Sequence, residues 1–213
     1  IDLKQALVEG IITSDNKACG VITHTGMIYE GDCIIITTGT FLNGLIHIGL
    51  KSFKAGRQGQ LASEKLSSSL NGLGLEMGRL KTGTSPRILA KSINFDILEK
   101  QFGDIEPVPF SFTTGKITQP QTICYLTSTN NETHSIIRDN LNFSPLYCNR
   151  IVGIGPRYCP SIETKIVKFA DKESHLLFLE PEGMETEEFY INGFSTSLPE
   201  DIQLKALRTI KGL

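Results

Sequence analysis

The sequence predicts a mixed α/β fold in two lobes. Three observations carry this. Three short apolar runs separated by turn residues open the chain, a continuous β-branched run, Cys33-Ile34-Ile35-Ile36-Thr37, follows them, and helical stripes alternate with short strand patterns from about residue 130 onward. A run of β-branched residues with no polar alternation suits a strand covered on both faces, as in a parallel sheet.

Taken in order, Ala6 to Thr13 is the first strand run and Ser14-Asp15-Asn16-Lys17 supplies turn chemistry. Ala18 to Thr25 is the second run and Met27 to Glu30 the third, so a β-meander feeds the buried strand, which stops at Thr38-Gly39-Thr40. Residues 43–60 are glycine-rich and basic and read as a long loop. Ser63 caps a helix to Leu70. Gly78 to Thr84 returns to extended structure, and Pro86 marks a junction by restricting Ser85. Small strands in a second lobe are expected to about residue 125. A helix over Asn130 to Asn140 follows, with an Asn cap and an apolar face of Ile136, Ile137 and Leu141.

The next helix is predicted to place Pro160 at its first position, with Cys159 as N-cap. Ile162, Ile166, Phe169 and Ala170 make one apolar stripe, and Lys165, Lys168 and Lys172 favour its C-terminal end. His175 to Leu179 and Glu188 to Ile191 read as strands, Asn192-Gly193 as a turn, and Glu200 to Ile210 as a last helix after Pro199.

Composition narrows the function classes. Lys plus Arg is 21 and Asp plus Glu is 23 in 213 residues, so the net charge of −2 gives no bulk basic surface to force a nucleic-acid reading. At 39% apolar and 21% charged residues the chain is folded rather than disordered. The longest apolar run is too short to span a membrane, so no membrane insertion is expected. No secretory signal is visible. Five cysteines, an odd count without C-x-x-C spacing, point to a reducing, intracellular compartment, and the four histidines form no metal cluster. The chain begins with Ile1 inside an element and stops just after a helical pattern, which reads as an interior piece of a longer protein.

The strongest chemical feature is Gly153-Ile154-Gly155-Pro156-Arg157-Tyr158-Cys159-Pro160-Ser161. A thiol at a helix N-terminus beside an arginine is favoured as thiolate, and the tyrosine could pack on a ring substrate. The same pattern also suits an inert, buried cysteine at a helix start. Thr38-Gly39-Thr40 is either a cofactor turn, where glycine admits a dinucleotide to the backbone, or an ordinary strand-to-loop turn. Gly72-x-Gly74-x-x-x-Gly78 has the wrong spacing for a phosphate loop. Lys51, Lys54, Arg57, Arg79, Lys81 and Arg87 could contact cofactor or RNA phosphates or be solvated loop charges. Asp96, Glu99, Asp104 and Glu106 read as surface charges.

Five blocks, in this order, resemble the MnmG (GidA) family: Thr38 to Leu42, Gly78 to Thr84, Gly155 to Glu163, Phe178 to Gly183 and Ser195 to Pro199. The resemblance implies an FAD/NAD(P)-binding, glutathione-reductase-like fold with an inserted α+β domain. Residues 1–83 and 187–213 would belong to the FAD-binding domain and 84–186 to an NADH-linked insert. It implies a flavoenzyme that forms 5-carboxymethylaminomethyluridine at the tRNA wobble position, working as a homodimer with the GTPase MnmE. Its cofactors would be FAD and NADH, with methylene-tetrahydrofolate as one-carbon donor and glycine as co-substrate. Cys159 matches the family's essential cysteine, whose thiolate would add to uridine C6. Ser63, with Thr38, Gly39 and Thr40, falls at flavin contacts; Gly155, Pro156, Arg157, Tyr158, Pro160, Ser161, Ile162 and Glu163 fall in the nicotinamide-dinucleotide segment. Ser85, Thr164 and Cys148-Asn149 depart from the family's usual Pro, Asp and Ser-Gly. Without the glycine loop for the FAD pyrophosphate, this piece alone is expected neither to hold FAD tightly nor to modify tRNA. The rival readings are the related folate- and FAD-dependent tRNA (uracil-5-)-methyltransferase and a non-catalytic RNA-binding scaffold.

Overall fold

The computed structural model describes residues 1–155 and 160–213, in two compact units. The first unit comprises Ile1–Leu80 with Val152–Ile154. Its meander is β1 (Val8–Ser14), β2 (Lys17–Thr23) and β3 (Ile28–Glu30), antiparallel in that order. Asp15 and Asn16 make the tight β1–β2 turn with positive φ of 49° and 62°, which suits their short polar side chains. Helix α1 (Glu64–Gly72) packs on β1, where Ser69 Oγ accepts the Ile11 N–H at 3.1 Å.

Two expectations fail in this unit. Residues 33–37 form no strand and, apart from the half-buried Ile34, lie exposed, with Ile35 at 87% of its free accessibility. All strand ladders among the described residues are antiparallel, and none includes this run. A strand buried on both faces needs hydrogen-bonding neighbours and covering side chains, and the β-strands among the described residues supply neither. Conversely, the stretch read as a long loop contains an antiparallel hairpin, β4 (Leu45–Ile48) with β5 (Lys51–Lys54), turned at Gly49 with φ of +56°.

The second unit comprises Lys81–Ile151 with Gly155–Leu213. Its five-stranded antiparallel sheet has the order β6-β10-β9-β8-β7, from β6 (Arg87–Leu89), β7 (Glu99–Gln101), β8 (Cys124–Ser128), β9 (Leu176–Pro181) and β10 (Glu188–Asn192). Both outermost strands are three residues long. Period-two alternation puts Leu177, Leu179, Phe189 and Ile191 on the buried face. Against them pack Ile137 of α2 (Asn131–Asp139), Ile162 and Ile166 of α3 (Ile162–Lys168), and Ile202, Ala206 and Leu207 of α4 (Glu200–Leu207). Each fully buried Leu or Ile contributes about 1.5–3 kcal/mol by leaving water, so this cluster is the main source of stability for the unit. Phe95, Tyr125 and Phe189 add tilted ring contacts at 4.5–6.4 Å between centroids.

Helix α2 has a reciprocal cap: Asn130 Oδ1 accepts from Thr133 N and Thr133 Oγ1 accepts from Asn130 N. Helix α3 differs from its predicted start and end. Its N-cap is Ser161, not Cys159, and it ends at Lys168, leaving Phe169 half exposed. The serine hydroxyl accepts the Thr164 N–H, which a cysteine does less well, and this sets the boundary.

Candidate functional site

The site predicted around residues 153–163 is built on α3. Ser161 Oγ accepts from Thr164 N at 3.3 Å and shares a hydrogen bond with Thr164 Oγ1 at 3.0 Å. A serine cap of this kind contributes about 1 kcal/mol. The Ile162 N–H donates to Ser195 O at 2.7 Å, fastening the helix start to the segment that follows β10. Pro160 and Gly155 are exposed, and Ile162 is in the core. Pro156, Arg157, Tyr158 and Cys159 lie outside the described residues. With Ser161 as cap, the N-cap position itself does not favour a Cys159 thiolate.

Glu163 is fully buried and acts as a brace. Its Oε1 accepts from Thr196 Oγ1 at 3.0 Å, Ser197 N at 3.3 Å and Ser144 Oγ at 3.5 Å, and its Oε2 has no partner. Hydrogen bonds to a carboxylate are worth about 1.5–3 kcal/mol each, so one side chain joins three segments. Tyr147 adds a bond from its hydroxyl to Glu163 O at 3.4 Å; burial raises this phenol's pKa, the bond with Thr164 lowers it and the nearby Glu163 charge raises it. Ser161, Ile162 and Glu163 therefore spend their side chains inside the unit.

In the first unit, Gly39 has φ of +53° and open space where a Cβ would stand, so its turn leaves the backbone approachable by a flat or phosphorylated group. Thr40 Oγ1 donates to Gly56 O at 2.7 Å, and Ser63 Oγ donates to Val8 O at 3.0 Å instead of capping α1. Both hydroxyls are committed to the fold, and Ser63 reaches β1, a contact no local pattern announces. For a flavin, the open Gly39 turn fits a backbone contact, while the Thr40 and Ser63 hydroxyls are already used.

Several of the basic residues are engaged within their own units. Lys54 pairs with Glu64, Arg79 donates to Asn43 O, and Arg87 pairs with Glu182 while lying 4.7 Å over the Tyr190 ring. Lys81 is buried. Asn149, standing where glycine is usual, adopts φ of +55°, which asparagine tolerates; Thr164 serves the Ser161 cap; and Ser85 is buried with its hydroxyl unpartnered. Gly72 ends α1 and Gly74 takes a positive φ beyond it, a helix stop rather than a phosphate loop. Among the described residues no group of three or more His, Cys, Asp or Glu could hold a metal, and no helix is long and apolar enough to cross a membrane. No local signal marks Ser144, whereas Thr196 lies in the Ser195 to Pro199 block.

Fold and site together define a mixed α/β protein whose braced loop-to-helix junction stands on an antiparallel sheet. The chain belongs to the Glucose inhibited division protein A (GidA) family, whose model matches residues 1–213. It is 59% identical over 99% of its length to the tRNA uridine 5-carboxymethylaminomethyl modification enzyme MnmG of Thermodesulfovibrio yellowstonii, and 55% identical over its whole length to that of Campylobacter fetus. Each match covers 34% of the relative, so the chain spans about a third of the curated relatives' length. The crystal structure of Aquifex aeolicus GidA (form I) is similar with a TM-score of 0.85 at 47% identity, covering 99% of this chain and 36% of that one.

Proposed function

We propose that this chain is part of a flavoenzyme that forms 5-carboxymethylaminomethyluridine at the wobble position of tRNA. The observation that carries the reading is the 59% identity, over 99% of the chain, to a protein named for that reaction. The same match favours this activity over the folate-dependent uracil methyltransferase and over a scaffold role.

In this reading Cys159 is the nucleophile: its thiolate adds to uridine C6 and makes C5 reactive. FAD, when bound, supplies the redox chemistry, with NADH as reductant and methylene-tetrahydrofolate as one-carbon donor. The open Gly39 turn offers a backbone contact to the flavin, and Ser63 supports that region by joining the α1 start to β1. The Gly155–Glu163 stretch serves the nicotinamide cofactor through its backbone and through Pro156, Arg157 and Tyr158, because Ser161, Ile162 and Glu163 are turned to structural use. Residues 1–83 and 187–213 are assigned to the flavin-binding domain and 84–186 to its insert, although β10 and α4 share the core of the second unit. The active form is a cytoplasmic homodimer working with the GTPase MnmE.

The test is complementation. In a bacterium deleted for its own enzyme, the full-length protein containing this chain should restore the modified nucleoside, read by mass spectrometry of digested tRNA. Cys159→Ser should abolish it at equal protein level. Undiminished modification by Cys159→Ser would remove the nucleophile, and no restoration by the unaltered protein would remove the activity.

A further inference from the structure

A carboxylate taken out of water is costly unless donors compensate it, and an oxygen left unpaired adds to that cost. Glu163 is 0% exposed; its Oε1 takes three donors and its Oε2 takes none. For stability alone, a side chain without buried charge would serve as well or better. What this carboxylate joins is therefore informative.

Its bonds close the base of one loop. Ser144 Oγ, 3.5 Å from Oε1, stands before the loop, and Glu163 stands after it in the first turn of α3. The Tyr147 hydroxyl makes a second bond across the same gap, to Glu163 O at 3.4 Å. Both arms of the loop are themselves held. On the near arm, Tyr147 N and Cys148 N donate to Ser144 O at 3.0 Å, and Arg150 N and Ile151 N donate to Pro145 O at 2.9 and 3.1 Å. On the far arm, Ser161 caps α3 and Ile162 N donates to Ser195 O at 2.7 Å. Thr196 Oγ1 at 3.0 Å and Ser197 N at 3.3 Å then tie Glu163 to the segment that follows β10. Ser144, Tyr147, Glu163, Thr196 and Ser197 all belong to the second unit. By chain connectivity the loop between Tyr147 and Glu163 contains Cys159, which lies outside the described residues.

We propose that Glu163 is a positioning residue for Cys159, its buried carboxylate bolting together the two arms of the loop that carries the thiol. This rests on the reading of Cys159 as the nucleophile. All three bonds from other segments to the carboxylate end on Oε1, so the role requires reach and an accepting oxygen rather than charge.

The test uses the full-length protein containing this chain. Glu163→Asp keeps the charge and falls short by one methylene; Glu163→Gln keeps the reach and the accepting oxygen. At circular dichroism equal to the parent's, Glu163→Asp should lower kcat for tRNA modification by about tenfold or more and leave KM for tRNA within about twofold. Glu163→Gln should keep kcat within about threefold of the parent. Thr196→Val removes the 3.0 Å bond at nearly constant shape; it should lower kcat with KM unchanged, and it decides the matter if Glu163→Asp does not fold. Alkylation of Cys159 by iodoacetamide, read by peptide mass spectrometry, should change in rate by about threefold or more in Glu163→Asp and stay near the parent's in Glu163→Gln. Unchanged kcat in the folded Asp or Val variant would overturn the proposal, as would a loss confined to KM or a Gln variant as impaired as the Asp one. If the unaltered protein modifies no tRNA, the activity reading falls and alkylation alone decides: equal rates in the parent and in the folded Asp or Val variant would remove the positioning role.

Discussion

At the scale of single residues, two histidines set a pH dependence. His134 is fully buried in α2, and its ring lies 5.2 Å from that of His175. Thr129 Oγ1 accepts the His175 N–H at 2.8 Å and shares a 2.7 Å bond with His134 Nε2, while His134 Nδ1 and His175 Nε2 have no partner. Burial pushes the His134 pKa down, helped by the His175 and Arg138 charges; burial and then the Lys165 charge lower that of His175. Both imidazoles are therefore depressed below the ordinary value of about 6.5. Below that pH the unfolded chain takes up protons that the folded rings refuse, so stability is full above about 6.5 and falls as the solution is acidified until the folded pKa values are passed. The urea midpoint should be lower at pH 5.5 than at pH 7.5, and His134→Gln should narrow the gap. An equal or higher midpoint at the acid pH contradicts this account.

At the scale of elements, much was legible and the failures have definite causes. The meander, α2, β9, β10 and α4 follow from period and caps, because Asn130, Pro199 and the Asp15-Asn16 turn are local signals that agree with the fold. Helix α3 is legible in its apolar stripe, but Pro160 draws the predicted start ahead of the better cap at Ser161. The β4–β5 hairpin was hidden because its strands are four residues each and its glycines and lysines imitate a loop. One of those glycines is indispensable to the hairpin. A Cβ on Gly44 would stand 2.4 Å from Ala55 O and 2.5 Å from Thr40 O, both backbone atoms that cannot rotate away. Gly44→Ala should therefore cost about 1–3 kcal/mol, the scale of other overpacking changes, measured by urea denaturation. A loss below about 0.5 kcal/mol, typical of unconstrained surface sites, would mean the hairpin base yields freely. The Glu163 brace is beyond sequence reading for a different reason. Its members lie on separate segments that only the tertiary fold brings together.

At the scale of the whole molecule, residues 33–37 separate what a sequence says locally from what a chain can bury. Their hydrophobicity describes a strand with two covered faces, but burial depends on partners, and among the described residues no strand pairs with them. Their exposure gives a direct expectation. Ile35→Asp should change the stability of the 213-residue chain by less than about 0.5 kcal/mol, because the side chain is 87% exposed and loses no packing. The measurement is a urea midpoint for each protein, and a loss above about 2 kcal/mol, a core-like value, would show that Ile35 is covered. The family match over residues 1–213 and the similarity to the crystal structure of Aquifex aeolicus GidA, at a TM-score of 0.85, both extend across this run.

The two short strands that bound the larger sheet limit how it meets other polypeptides. A foreign strand seeking to extend it would find three residues of open ladder at either side, Arg87 to Leu89 or Glu99 to Gln101, and at the latter a glutamate next to a lysine. That is too little backbone, and too much charge, to template fibril growth. Self-association through this sheet is thereby discouraged, and its outer rims can face a crowded cell without recruiting their neighbours.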